Sequence, residues 1–444
     1  MKTRVEDISS VKKKLLIEIE SQEVDNKLDD AYKKLSKKAK IPGFRPGKAP
    51  RKMLEMHFGN QVMEDVTRDL INETLPKAIE EVETFPLGPP LLEKNALKQG
   101  NIFTYSAMIE VLPQFELKNY LKLEAEKEKY SITKEDVQNQ LDQIRKNHGK
   151  LTSIDHNRSI KKDDYVILDY EGFEEGRPID GIKSPNFLLK VGANDFHHDF
   201  EESLIGLKKD SETEINVDFE DNYYHSKLAG KNINFKVKII DIKEMILPEL
   251  NDEFAQNIGA DFKDLKDMKN KVKETVAAEE KKRIDRELKQ RLLQKISESV
   301  DFELPQILVE TEINSAVENV KQNLIRSGSN LEKMGLSEEK IRNDFRPVSE
   351  KRVKEMLILN MIAKQDEITV NEEDLDKTFN DLASTTGEDS KNLRKYYEER
   401  NILDSLREKL LEEKTLNYLV EHAKINEVER VALSQNNKSD KENN

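Results

Sequence analysis

Residues 37–52 read KKAKIPGFRPGKAPRK. Two glycines, three prolines and seven cations (Lys37, Lys38, Lys40, Arg45, Lys48, Arg51 and Lys52) surround a single aromatic, Phe44. Pro42, Pro46 and Pro50 lack an N–H and push their predecessors out of the α region. Gly43 and Gly47 open backbone angles closed to other residues. The stretch must therefore interrupt its flanking helices and form a short, stiff loop. No acid occurs between Asp30 and Glu55, so the local sequence offers these cations no partner. Ile41 and Phe44 belong to the same tip, and exposed apolar side chains rimmed by cations suit an anionic, partly apolar docking surface. Arg45 can grip a carboxylate or phosphate with both arms, and Lys48 acts as a point charge. The alternative is a solvated basic helix end with Phe44 folded back on its own domain.

The loop stands out because the chain is acidic, with a net charge of −14 over 444 residues. That balance argues against general coating of nucleic acid, while a local basic patch still acts within a Debye length of about 10 Å. A length of 444 residues calls for several domains. With 36% charged and 6% aromatic residues, the composition suits long, solvated helices. There is no Cys, so disulfides and thiolate chemistry are excluded. The start, MKTRVEDISSVKKKLLIEIE, shows no apolar signal core, and no run of about 18 apolar residues occurs, so the expected location is cytoplasmic.

Working outward, residues 11–20 alternate as a half-buried strand, with Leu15, Ile17 and Ile19 on one face. Helical stretches flank the loop on both sides, and residues 102–111 alternate again. Residues 1–112 therefore read as a small α+β domain with a projecting helix–loop–helix. TKED at 133–136 has capping-box form and opens a helix to about Asn147. Residues 161–247 hold strand-like runs such as DYVILDYEG and INFKVKIIDI, separated by turn residues, and read as one compact β-rich domain. From 248 to 432 the pattern is helical, with Ile284, Leu288, Leu292 and Ile296 recurring every fourth residue. Residues 433–444 have nothing to bury and are expected to be disordered.

Gly43-Phe44-Arg45-Pro46-Gly47-Lys48-Ala49-Pro50 matches the G-F-R-x-G-K-x-P signature at every defined position, and the chain resembles the trigger factor family. The resemblance implies a multidomain α+β protein. Its N-terminal α+β domain binds the ribosome, its middle domain is FKBP-like and β-rich, and its C-terminal domain is elongated and all-α. Residues 113–160 would be a helical linker packing with that last domain. Gly43, Phe44, Arg45, Pro46, Gly47, Lys48 and Pro50 would dock on the large ribosomal subunit near the exit tunnel, on protein and RNA. Nascent and unfolded polypeptides would be held in a helical cradle, with Met334, Met356 and Met361 as adaptable contacts. A homodimer off the ribosome is a further implication.

The central runs resemble an FKBP-type peptidyl-prolyl isomerase. On that resemblance Tyr170, Asp180, Phe187, Phe200, Tyr223 and Phe235 line the proline pocket, with Tyr224 as a neighbouring candidate. Without it, Tyr170, Phe187 and Phe235 read as ordinary core. The reaction needs no nucleophile, metal or cofactor. His197-His198-Asp199 departs from the family's pattern and would make the pocket wall wetter. If His197 and His198 lie on a strand they point to opposite faces, and no third ligand spacing is evident, so a metal site is not expected. Two other functions remain open: a free prolyl isomerase without ribosome docking, and a non-enzymatic helical scaffold or RNA-binding protein using the basic loop alone.

Overall fold

The computed structural model describes residues 1–42, 44, 48–154, 158–221, 223, 227–259, 262–331 and 336–429. The chain opens with β1 (Lys2–Asp7), β2 (Lys12–Ile19), α1 (Ser21–Lys38), α2 (Arg51–Glu81), β3 (Leu91–Lys94) and β4 (Phe103–Glu110). The strands form one antiparallel sheet in the order β1-β2-β4-β3. Alternation sets its faces: Leu15, Ile17 and Ile19 of β2 lie opposite Ala107, Tyr105 and Phe103 of β4, and all of them are buried. Val24, Leu28 and Tyr32 of α1 join Leu54, Val62, Val66 and Leu70 of α2 in the same core. Each such large apolar side chain contributes roughly 1.5–3 kcal/mol by leaving water. The hydroxyls of Thr74 and Tyr105 share a hydrogen bond of 2.7 Å, so neither is left unsatisfied in that core.

The next elements are β5 (Glu124–Glu128), α3 (Lys134–Asn147), β6 (Lys150–Ser153), β7 (Tyr165–Glu174), β8 (Arg177–Lys190), α4 (His198–Leu204), β9 (Glu212–Asp218) and β10 (Asn232–Ile246). The stretch 113–160 is not a helical linker throughout. It holds one helix, α3, started by the Thr133–Asp136 capping box and flanked by two strands. β6 pairs antiparallel with the end of β10, so the central sheet begins at Lys150, ahead of the expected boundary at 161. The sheet runs β6-β10-β7-β8, with β9 also on β10. Val166 and Leu168 of β7, Ile215 and Val217 of β9, and Phe235, Val237 and Ile239 of β10 fill its core, which Phe200 and Leu204 of α4 close.

The remaining elements are α5 (Asp252–Asn257), α6 (Leu265–Ser299), α7 (Gln306–Arg326), α8 (Glu338–Gln365), α9 (Glu372–Thr386), α10 (Ser390–Glu399), α11 (Leu403–Glu421) and the unforeseen β11 (Lys424–Val428). The α6 stripe of Ile284, Leu288, Leu292 and Ile296 is buried, as are Val309, Ile313 and Val317 of α7. Further along, Val320 and Leu324 stay partly exposed, as do Leu403, Leu406 and Leu410 of α11. Ile325 and Val348 are mostly exposed. Among the described residues no helix is long and apolar enough to cross a membrane. The expected disordered tail, 433–444, lies outside the described residues, as does Met334.

Packing divides the chain into two compact units. One comprises Met1–Leu121, Leu293–Asn319 and Arg342–Glu421. Within it Phe115 stacks on Phe302 with ring centres 4.0 Å apart, and the Ile307 N–H donates to Glu110 Oε2 at 2.8 Å. The other comprises Lys122–Leu292, Val320–Ile341 and the described residues from His422 on. There Leu141 of α3 packs with Phe254, Ala255, Met268 and Val272, Arg283 donates to Glu128 Oε2 at 2.7 Å, and β11 pairs in parallel with β5.

One buried charge in α8 works against stability. The Glu355 side chain is 14% exposed, and its Oε1 lies 3.9 Å from Lys351 Nζ without a hydrogen-bond partner among the described residues. Burial pushes its carboxyl above the usual carboxylate range; Lys351 and Arg352 oppose the shift and Glu412 adds to it. A carboxyl that holds its proton more tightly when folded loses stability as pH rises through that interval. Glu355→Gln is therefore expected to raise the thermal midpoint at pH 7, with the gain fading as pH falls and wild-type Glu355 is protonated. A lower midpoint at pH 7, or a gain independent of pH, contradicts this.

Candidate functional site

The loop between α1 and α2 carries the first site. Lys37 and Lys38 end α1, where cations complement the helix dipole, and Pro50 caps α2, where a missing N–H costs nothing. Phe44 is 39% exposed, and Lys48 and Pro50 are also exposed. Gly43, Arg45, Pro46 and Gly47 lie outside the described residues. Two expectations are corrected. Ile41 is not at an exposed tip but buried in the N-terminal core, leaving Phe44 as the exposed apolar group. Arg51 is not without a partner: it donates to Asp29 and to Glu55, the latter at 2.7 Å, and stacks over the Tyr32 ring at 4.9 Å. Its hydrogen bond holds the Asp29 carboxyl below the usual carboxylate range. Lys37, Lys38, Lys40, Lys48 and Lys52 are exposed and have no ion pair among the described residues. Arg51 thus fastens α2 to α1, while the other described cations of the loop face solvent.

The second site is an aromatic cluster assembled from separate elements of the central domain. Tyr170 of β7 meets Phe187 of β8 at 5.4 Å between ring centres and Phe235 of β10 at 6.1 Å. Phe200 of α4 meets Phe235 at 5.3 Å. Phe200 and Phe235 are fully buried and form a floor, whereas Tyr170, Phe187 and Tyr223 are half-buried at the rim. Tyr223 lies 4.6 Å from Phe219, whose own ring is 6.2 Å from Phe235. The tilted and edge-on arrangements are those that aromatic quadrupoles favour. Asp180 sits on the exposed first part of β8, where Lys227 Nζ donates to its backbone carbonyl at 2.7 Å. Tyr224 lies outside the described residues.

His197 and His198 are not on a strand. His197 is the N-cap of α4, with its Nδ1 accepting the Asp199 N–H at 3.3 Å. Its ring faces Phe219 at 5.0 Å and Tyr223 at 6.2 Å. His198 is mostly exposed and stands 3.3 Å from Glu202, and Asp199 is exposed. Of the three polar residues expected to wet the wall, only His197 reaches these rings. Among the described residues no group of three or more His, Asp or Glu is placed to hold a metal ion.

Two residues that the sequence reading passed over shape the cluster. Phe196 contacts Tyr170, Phe187, Phe200 and Phe235. Glu201, 1% exposed, accepts N–H groups from Gly192 and Asn194, each at 2.9 Å, and from Phe196 at 3.0 Å. The turn it holds runs through left-handed backbone at Gly192 (φ 85°) and Asn194 (φ 64°), which a folded-back carboxylate can tie down. The Tyr223 O–H donates to the Phe196 carbonyl at 3.0 Å, fixing the same turn from its other side. Chemically, an apolar cage with fixed walls lowers the cost of twisting a prolyl amide, whose uncatalysed barrier is about 18–20 kcal/mol. The twisted amide has a less polar carbonyl and loses less on leaving water.

Each charge-assisted hydrogen bond to a buried group contributes about 1.5–3 kcal/mol. Glu201→Ala removes three and strands three N–H groups, so it is expected to lower unfolding free energy by about 3 kcal/mol or more. Glu201→Gln, which keeps an acceptor oxygen, is expected to lose less. Equal stability of Glu201→Ala and wild type in denaturant titration contradicts the clamp.

Profiles of known families match three stretches: bacterial trigger factor protein over residues 1–144, its C-terminus over 264–421, and FKBP-type peptidyl-prolyl cis-trans isomerase over 156–240. A trigger factor of Geotalea uraniireducens is 36% identical over 431 residues, covering 97% of this chain and 99% of the relative. One of Geotalea daltonii is 35% identical over 434 residues, covering 98% and 100%. A solved trigger factor chaperone superposes with a TM-score of 0.50 at 22% identity, covering 95% of this chain and 99% of that one, a likeness that concerns the fold. The central sheet with its aromatic cage is an FKBP-type prolyl isomerase domain, and the chain as a whole belongs to the trigger factor family.

Proposed function

We propose that this protein is a ribosome-associated molecular chaperone of the cytoplasm. Its 43–50 loop docks on the large ribosomal subunit beside the polypeptide exit. Its helices shield nascent and unfolded chains, and its FKBP-type domain isomerises prolyl bonds in the cage of Tyr170, Phe187, Phe200, Tyr223 and Phe235, with Asp180 as the acidic member of the site. The observation that carries docking is the exposed Phe44 among cations without acid partners on a protein of net charge −14. Such a tip attracts RNA phosphates and acidic protein, while the acidic remainder is repelled from RNA at longer range. The half-exposed stripes on α7 and α11 suit weak, varied contacts with apolar client segments.

Co-sedimentation with 70S ribosomes at fixed salt tests docking. Wild type is expected in the pellet, and folded Phe44→Ala/Arg45→Ala/Lys48→Ala in the supernatant. Arg51→Gln, which removes a cation already neutralised by Asp29 and Glu55, is expected to keep most of the binding. Wild-type binding is expected to weaken as salt rises, because its charges are exposed. If wild type and the triple variant bind alike, or neither binds, the reading falls back to a free prolyl isomerase with a chaperone body.

A further inference from the structure

Phe196 stands in the middle of the cage. Its ring centre lies 4.6 Å from Phe200, 5.3 Å from Tyr170, 5.5 Å from Phe235 and 6.1 Å from Phe187. Those four rings are themselves linked in one run of contacts, Phe187 to Tyr170, Tyr170 to Phe235 and Phe235 to Phe200, and Phe196 touches every member of it. A ring packed against four walls takes up the volume between them, and a prolyl ring cannot share it. The Phe196 backbone is held on both sides, with its N–H on Glu201 Oε1 at 3.0 Å and its carbonyl under the Tyr223 hydroxyl at 3.0 Å. The residue is half-buried, so part of it faces solvent. Both hydrogen bonds use backbone atoms of Phe196, so rotation about its χ1 would move the ring and leave them intact.

We propose that Phe196 is an internal occupant of the prolyl pocket, its ring resting on Phe200 where a substrate's proline would rest, so that substrate binds only to the fraction of molecules with the ring turned out. The proposal rests on the reading of the aromatic cage as the prolyl site. Its consequence is a pocket selective by competition: apparent affinity falls by the fraction open, and a ring turned out in one molecule in ten costs about tenfold. Once substrate is bound the ring is already displaced, so the cost falls on KM and spares kcat. Phe196 therefore limits how readily exposed prolines are captured when dilute, and less so when a client held by the rest of the chain presents them at high effective concentration.

The test is protease-free isomerisation of a short peptide with a single X-Pro bond by the full chain, comparing wild type, Phe196→Ala, Phe196→Met and Phe187→Ala. Thermal melting checks that each is folded. The expected result is a KM lowered about tenfold in Phe196→Ala, with kcat within about twofold, and a smaller shift in the same direction in Phe196→Met, whose side chain is thinner and more flexible. Phe187→Ala, which removes a wall, is expected to lower kcat/KM. If both Phe196 variants lose activity as Phe187→Ala does, or leave it unchanged while Phe187→Ala loses it, Phe196 is no occupant and the pocket reading survives. If none of the three alters the rate, the pocket reading fails and takes the proposal with it. Should Phe196→Ala not fold, Phe196→Met decides by the direction of its KM.

Discussion

Unbalanced charge at one loop is the constraint on which the docking end depends. Over the 24 residues from Ala31 to Leu54 the chain places no acid, and the basic side chains there that form ion pairs reach outside that interval for them, Lys33 to Asp30, and Arg51 to Asp29 and Glu55. The Arg51 contacts, with the stacking on Tyr32, tie the start of α2 to α1 and so fix where the loop leaves the domain. Burial of Ile41 adds an apolar anchor on the α1 side. The loop is thus fastened at both ends, and its remaining exposed cations and Phe44 are presented from a rigid base. Preorganisation of this kind reduces the entropy lost on docking.

The isomerase end follows a related logic with a buried anion in place of exposed cations. Glu201 receives three backbone N–H groups, so the chain itself supplies hydrogen bonds to its buried carboxylate. The turn it ties down carries Phe196 into the cage, and His197 onto Phe219. One carboxylate thereby decides where two rings of the site stand. Its carboxylate acts through the backbone of that turn, which makes it a positioning residue.

Much of this was legible in the sequence, and the omissions have physical causes. β2, β4 and the α6 stripe were readable because alternation and four-residue recurrence mark elements with one buried face. β1 (KTRVED), β6 (KLTS) and β11 (KINEV) were not, since edge strands and short polar strands expose both faces and are held by backbone pairing. The β5–β11 pairing joins Lys424 to Glu124, a separation no local pattern reports. At the loop, Pro42 and Gly43 pointed to a tip and made Ile41 read as exposed; its burial is decided by helices that the local pattern cannot show. Arg51 misled for the same reason, Asp29 being one helix away. In the pocket, attention to His197 and His198 hid Phe196. An aromatic between Asp195 and two histidines, in an otherwise polar turn, was the available signal. Glu201 offered none, because a carboxylate followed by Glu202 at the start of a helix reads as an ordinary solvated pair.

The most direct measurement is contact at the loop tip itself. A photo-reactive residue at position 44, in a chain otherwise unchanged, would be illuminated with 70S ribosomes and the crosslinked partners identified. Docking through the loop requires crosslinks to protein or RNA of the large subunit around the polypeptide exit, competed away by unlabelled wild-type chain. Crosslinks confined to the small subunit, spread over the ribosome without competition, or absent while the chain still co-sediments would contradict it.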